Sequence, residues 1–220
     1  LVAAEQAGIE TGDSIERALA YLEDAGLAYA ESGDGQRAKL VLVVAAAGED
    51  PFNFAGTDLW DPIESGAFAS GSVGQGCVDH SLATLAAVAV GSERTDELAQ
   101  ALIAGHLDDG SWGWASDAAE GDGDTNTTAL AVQALVAAGD GDDPAIDAAL
   151  DYLESARDAD GGYGYQPATS PEETVSDANS TALVIQAFLS VGLSPDEEPL
   201  ASAFGALARF QNESGSVRFN

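Results

Sequence analysis

The chain has very few basic residues and a single cysteine. Seven lysine and arginine residues stand against 38 acidic residues, which gives a net charge of −31 at pH 7. This charge repels nucleic acids and anionic membrane surfaces, so we expect neither as a partner. Because Cys77 is alone, an internal disulfide is excluded. No run of about 18 apolar residues is present, which argues against a membrane span.

The acidity does not indicate disorder. Hydrophobic residues make up 45% of the chain, which is enough for a core and unlike the composition of disordered segments. We therefore expect a folded protein with a hydrated surface rich in carboxylates. A halophilic source and a GC-rich bacterial source both explain such a surface. No basic segment followed by an apolar stretch opens the chain, so we expect a signal peptide to be absent or already removed.

A cassette of glycine and aromatic residues recurs along the sequence. Residues 109–114 read DGSWGW, and residues 160–165 read DGGYGY. Each copy is followed by an apolar run with a polar start, at residues 124–130 and 177–183. Because two elements return together in the same order, the sequence predicts a repeat architecture.

Weaker copies extend this repeat. We place their turn glycines at Gly66 and Gly215, in line with Gly110 and Gly161 of the clear copies. One more copy is expected around residues 38–47, with a degenerate turn. The sequence therefore predicts one domain over residues 1–220 with about four or five repeats, each a turn and two helices.

The helical segments alternate between two kinds. The first kind is amphipathic and covers residues 14–30, 93–107, 144–156 and 197–210. The second kind is apolar nearly all round and covers residues 40–47, 82–90, 129–138 and 183–191. Helices that are apolar on every side are buried on every side, so this pattern predicts an all-α fold with inner and outer helices. Glycines serve as the predicted stops of the inner helices, at Gly48, Gly91, Gly139 and Gly192.

Candidate ligand-binding residues lie where the inner helices are expected to begin. Helix starts offer free N–H groups and partial positive charge, which can bind a polar ligand, although the same residue types also serve as N-caps. The candidates here are Asp79, His80, Asp124, Thr125, Asn126, Asp177 and Asn179. For Trp112 and Tyr163 we favour a packing role, whereas Trp114 and Tyr165 are either stacking platforms or packing residues. Gln133 and Gln186 either bond to helix ends or line a cavity.

Metal and glycan sites are further candidates. Asp122 and Asp124 alternate as calcium ligands do, but the EF-hand glycine and terminal glutamate are out of register. Cys77, with Asp79 and His80, suggests zinc, against the alternative of a buried thiol beside a helix cap. Three sites fit the N-glycosylation pattern, namely Asn126, Asn179 and Asn212.

These motifs resemble the prenyltransferase and squalene-oxidase repeat superfamily. Residues 106–112 (HLDDGSW) and 157–163 (RDADGGY) resemble its Gln-x3-Gly-x-Trp motif without the Gln, and residues 211–217 (QNESGSV) keep the Gln and lose the aromatic. The resemblance implies an α/α toroid with concentric rings of helices. Since the sequence stops where another inner helix is due, we expect an incomplete ring or a piece of a longer chain.

Within this superfamily the chain looks similar to the branch of transcobalamin and intrinsic factor. Bacterial and archaeal secreted members of that branch carry runs such as residues 46–56 (AAGEDPFNFAG) and 177–187 (DANSTALVIQA). The resemblance implies a secreted or cell-surface, non-catalytic protein that binds a corrinoid-like molecule or a partner segment. An assembly or adhesion domain without a small ligand is the alternative.

A terpene cyclase is the second alternative. Cyclases of this superfamily place their proton donor in an Asp-x-Asp-Asp-Thr sequence. Residues 122–125 (DGDT) put Gly123 at the donor position. Protein prenyltransferases use dispersed zinc ligands, unlike the close group at Cys77. The sequence therefore favours a protein that is not an enzyme.

Overall fold

The computed structural model describes residues 1–70, 72–168 and 175–219, and this part contains ten helices and no β-strand. The all-α prediction is therefore confirmed. The helices are α1 (Val2–Gln6), α2 (Ser14–Ala30), α3 (Asp34–Ala46), α4 (Asp61–Ser70), α5 (Cys77–Val90), α6 (Thr95–Ile103), α7 (Thr125–Ala138), α8 (Pro144–Ser155), α9 (Ala178–Ser190) and α10 (Leu200–Phe210).

The helices form two layers. The inner helices α3, α5, α7 and α9 pack against one another in chain order, and α2, α4, α6, α8 and α10 lie against them. Inner helix α7 buries residues on nearly every side, as its sequence predicts. Outer helix α8 buries one stripe, which contains Ile146, Ala149 and Leu153. The alternation of buried and amphipathic helices along the chain therefore corresponds to the two layers.

The inner helices begin earlier than their apolar runs. Helix α5 starts at Cys77, α7 at Thr125 and α9 at Ala178, so the polar residues before each run form its first turn. The predicted stops are confirmed, since all four glycines have positive φ angles: Gly48, Gly91, Gly139 and Gly192. Within the described residues, no helix is both long and apolar enough to cross a membrane.

The predicted turn at Gly66 is wrong, because Gly66 lies inside helix α4. The backbone N–H of Val73 donates to Nδ1 of His80 over 3.1 Å. At the same place in the next two repeats, the N–H groups of Trp112 and Tyr163 donate to threonine hydroxyls over 3.0 Å. Val73 therefore takes the place of the cassette aromatic, and residues 71–75 (GSVGQ) are the first cassette. Gly71 itself lies outside the described residues.

The predicted turn at Gly215 is confirmed. Its φ angle of 83° is close to the 84° of both Gly110 and Gly161. The same hydrogen bond also closes each turn: the N–H of Asp158 reaches the Gly162 carbonyl over 2.8 Å, and the N–H of Asn212 reaches the Ser216 carbonyl over 2.9 Å. Three cassettes thus share one backbone conformation.

Candidate binding rim at the starts of the inner helices

Hydrogen bonds between repeats bring the starts of the inner helices to one edge of the molecule. In each case the first N–H of an inner helix donates to the carbonyl of the last cassette residue of the next repeat. The three bonds are Cys77 N to Trp114 O (3.1 Å), Thr125 N to Tyr165 O (2.9 Å) and Ala178 N to Phe219 O (2.8 Å). We call this edge, formed by these six residues, the rim.

The two aspartates at the rim are N-caps. The carboxylate of Asp124 accepts the N–H of Thr127 over 2.8 Å and its hydroxyl over 2.7 Å. Asp177 accepts the N–H of Ser180 over 2.9 Å and its hydroxyl over 2.7 Å. Both carboxylates are buried. Because capping already uses both oxygens, we remove Asp124 and Asp177 from the candidate ligand contacts.

Two polar groups beside Asp124 lack a partner among the described residues. Thr125 is fully buried, and in this part of the chain neither its hydroxyl nor the side-chain carbonyl of Asn126 has a hydrogen-bond partner. Asn179 takes the place of Asn126 in the next repeat and is exposed. Buried polar groups in native proteins nearly always find partners, so the start of α7 has spare hydrogen-bonding capacity.

The two glutamines do not enclose a site. Gln133 is half-buried and donates to the carbonyl of Ala129, one turn earlier in its own helix, over 3.1 Å. Gln186 is exposed at the same place in α9. Gln133 thus bonds within its own helix and not to the end of another helix.

His80 is a structural residue and not a ligand contact. Its Nδ1 accepts the N–H of Val73, and its Nε2 donates to the carbonyl of Leu98 over 2.8 Å. The ring therefore ties the first cassette and α5 to α6. Burial lowers the pKa of His80, and the bond to the Leu98 carbonyl opposes this only in part. The imidazole is neutral, and both of its nitrogens are used.

We expect the replacement His80→Gln to lower the free energy of unfolding by about 1–3 kcal/mol at pH 8, because two buried backbone groups lose their partner. The lowered pKa makes the contribution of His80 complete above about pH 6.5, and it is lost as the pH falls through the folded-state value. The difference in the free energy of unfolding between wild type and variant, measured by urea denaturation, should therefore shrink toward pH 5. An equal difference at both pH values would contradict this role. The exposed His106→Gln variant is the control.

The geometry gives no support to a zinc site at Cys77. Burial raises the pKa of the Cys77 thiol to about 12, so the thiolate that zinc requires is disfavoured. Asp79 accepts the backbone N–H of Gln75 over 3.1 Å, and both His80 nitrogens are engaged. Cys77 and His80 line a cavity of about 140 Å³ between the start of α5 and the end of α6.

The calcium candidates also point away from each other. Asp122 turns back to accept the N–H of Ala119 over 2.9 Å, while Asp124 caps α7. In the part of the chain that the structure describes, no three acidic, histidine or cysteine side chains come together as metal ligands. The geometry therefore gives no support to a calcium site at Asp122.

The three glycosylation candidates differ in access. The Asn212 amide donates to the Ser216 hydroxyl over 2.6 Å, and its oxygen accepts from Ser214. Asn126 has a buried side-chain carbonyl. Asn179 is exposed, and among the described residues its side-chain amide forms no hydrogen bond, so it is the accessible acceptor of the three.

The aromatic residues of each cassette divide into a buried and an exposed one. Trp112 is 1% exposed and donates its indole N–H to the Leu102 carbonyl over 2.8 Å, and Tyr163 is 0% exposed. These two pack between repeats, as the sequence favours. Trp114 and Tyr165 are 62% and 49% exposed. They are therefore not packing residues.

Phe219 is the aromatic rim residue that the sequence analysis did not select. It is 64% exposed and takes the place of Trp114 and Tyr165 in the last cassette. Its cassette has Val217 instead of the first aromatic, which hides the alignment. The signal that could have found it is the spacing from Gly215, which matches that of Trp114 from Gly110.

The Tyr165 side chain lies near the Asp124 carboxylate at the start of α7. Burial raises the pKa of the phenol, and the negative charge of this carboxylate raises it further. About half of the Tyr165 side chain is exposed to solvent.

No family model matches this chain, and no curated protein matches it.

Proposed function

We propose that this chain is a non-catalytic binding module with an α/α-toroid architecture, and that the rim binds its ligand. The observation that supports this most is the set of exposed aromatic residues Trp114, Tyr165 and Phe219, one at each cassette end. The four inner helices packed in chain order are the arrangement that an arc of a toroid requires. The ligand is a small molecule with apolar faces, corrinoid-like by the resemblance, or a partner segment, and the module acts outside the cell or at its surface.

Two observations favour binding over catalysis. First, a Cβ built on Gly123 would lie 1.8 Å from the Ser111 hydroxyl oxygen. The position of the cyclase proton donor therefore cannot take an aspartate unless the cassette moves. Second, the raised pKa of the Cys77 thiol and the full hydrogen bonding of His80 leave neither group free for acid–base or nucleophilic chemistry.

Equilibrium dialysis against hydroxocobalamin tests this proposal. We expect retention on the protein side, and we expect about tenfold weaker retention for Trp114→Ala, since one stacking platform contributes about 1–3 kcal/mol. Tyr21→Ala removes an exposed aromatic of α2, far along the chain from the rim, and should bind as the wild type does. Absence of retention would refute a corrinoid ligand. Equal retention by wild type and Trp114→Ala would refute the rim as the site.

A second candidate function is assembly without a small ligand. Apolar side chains of α2 and α3 line a groove of about 400 Å³, which a partner surface could fill. Self-association on size-exclusion chromatography without any ligand distinguishes this function from binding at the rim.

A further inference from the structure

We propose that Trp114, Tyr165 and Phe219 form one continuous surface that binds an extended, neutral, β-1,4-linked glycan. This inference rests on the proposed function, since it assigns a ligand class to the same rim. We call these three side chains the aromatic row.

The repeat fixes the spacing of the aromatic row. Each ring belongs to a residue whose carbonyl accepts the first N–H of an inner helix. Because neighbouring packed helices lie roughly 8–10 Å apart, we expect neighbouring rings at about this spacing. A single small ring system covers one such interval at most. An elongated ligand is needed to reach all three side chains.

The exposure of the row is a property of the repeat. Val217 is 60% exposed, whereas Trp112 and Tyr163 are 1% and 0% exposed at the same place in the preceding repeats. Trp114 and Tyr165 lie within the array and are still 62% and 49% exposed, comparable to the 64% of Phe219. The three rings therefore face solvent even where neighbouring repeats are complete.

The negative charges around the aromatic row restrict the charge of the ligand. The loop after Trp114 carries exposed carboxylates at Asp117, Glu120 and Asp122, and the chain has a net charge of −31. Anionic ligands are repelled here. A neutral glycan brings many hydroxyl donors to these acceptors and stacks the apolar faces of its sugars on the rings.

The shape of the glycan follows from the spacing. In an extended β-1,4-linked chain, alternate sugars turn the same face to one side, so every second ring can stack on a flat row of aromatics. An α-1,4-linked chain coils and cannot keep its faces on one line. A proline-rich peptide also has a repeat near this spacing, because polyproline II rises about 3.1 Å per residue. Such a peptide offers few N–H donors to the carboxylates, so we favour the glycan.

Trp114 reports directly on occupancy of the row. The chain has three tryptophans, and Trp60 and Trp112 are buried at 3% and 1% exposure. Acrylamide therefore quenches mainly Trp114. We expect cellohexaose to protect this fluorescence from acrylamide in about 1 M KCl, where charge repulsion is screened. The affinity should rise from cellobiose to cellohexaose as more rings engage, and maltohexaose should bind at least about tenfold more weakly.

Variants separate the row from the rest of the surface. Tyr165→Ala should weaken cellohexaose binding about tenfold, while Tyr165→Phe, which keeps the ring, should retain most of it. Tyr21→Ala is the control and should bind normally. Circular dichroism verifies that each variant is folded.

Three outcomes would overturn the inference: no protection by millimolar cellohexaose, equal binding of maltohexaose, or stronger protection by a proline-rich peptide. If hydroxocobalamin is retained but cellohexaose gives no protection, the proposed function stands and only the glycan assignment fails. If neither ligand binds, the glycan assignment and the proposed binding function are both refuted.

Discussion

Replacing Trp112 with alanine should lower the free energy of unfolding by about 3–5 kcal/mol, whereas Trp114→Ala should change it by no more than about 0.5 kcal/mol. The two tryptophans are two residues apart in one cassette, but they are 1% and 62% exposed. Urea denaturation followed by circular dichroism measures both values.

The large effect at Trp112 has three sources. The side chain fills the space between two repeats, so its removal leaves a cavity that the helices cannot close fully. Its indole N–H bonds to the Leu102 carbonyl at the end of α6, and that carbonyl would lose its partner. Its ring also lies 6.0 Å from the His106 ring, centre to centre. Similar losses for the two variants would show that Trp112 is not a packing residue.

Gly110→Ala should cost about 2–5 kcal/mol, from a left-handed backbone and a steric clash together. The φ angle of Gly110 is 84°, and an added Cβ would lie 2.4 Å from the Ala148 carbonyl oxygen of α8. The clash is with backbone, so no side-chain rotation relieves it. Thermal or urea denaturation gives the loss in stability.

Gly91→Ala is the matched control for Gly110→Ala. Gly91 also has a positive φ, at 68°, but an added Cβ would meet nothing within 4 Å. Only the conformational cost remains there, about 1–2 kcal/mol. If Gly110→Ala cost no more than Gly91→Ala, the close approach of the cassette to α8 would be refuted.

The sequence predicts the layers well because hydrophobic periodicity depends on burial. Helix α2 has the predicted bounds, and the four apolar runs correspond to the inner helices α3, α5, α7 and α9. The first cassette was misplaced for a physical reason. Val73 occupies the aromatic position of the first cassette, so the sequence shows no aromatic residue there. The glycine and phenylalanine of residues 66–68 resemble the cassette more closely, and the prediction therefore falls on them.

The candidate site was only partly predictable. Residue type alone could not tell the caps from ligand contacts, because Asp124 and Asp177 suit both. The role of His80 depends on Leu98, a partner in the next outer helix that no local pattern indicates. The sequence allows Trp114 and Tyr165 to be either stacking platforms or packing residues, and their exposure excludes packing.

The bonds from inner helices α5, α7 and α9 to the cassette of the next repeat give the array a direction. The start of α5 is complete only when Trp114 is in place, and the start of α7 only when Tyr165 is. During synthesis, the first N–H of α5, α7 or α9 therefore finds its partner only after a later segment has left the ribosome. Damage to one cassette should loosen the repeat before it as well as its own, so unfolding should spread toward the N-terminus.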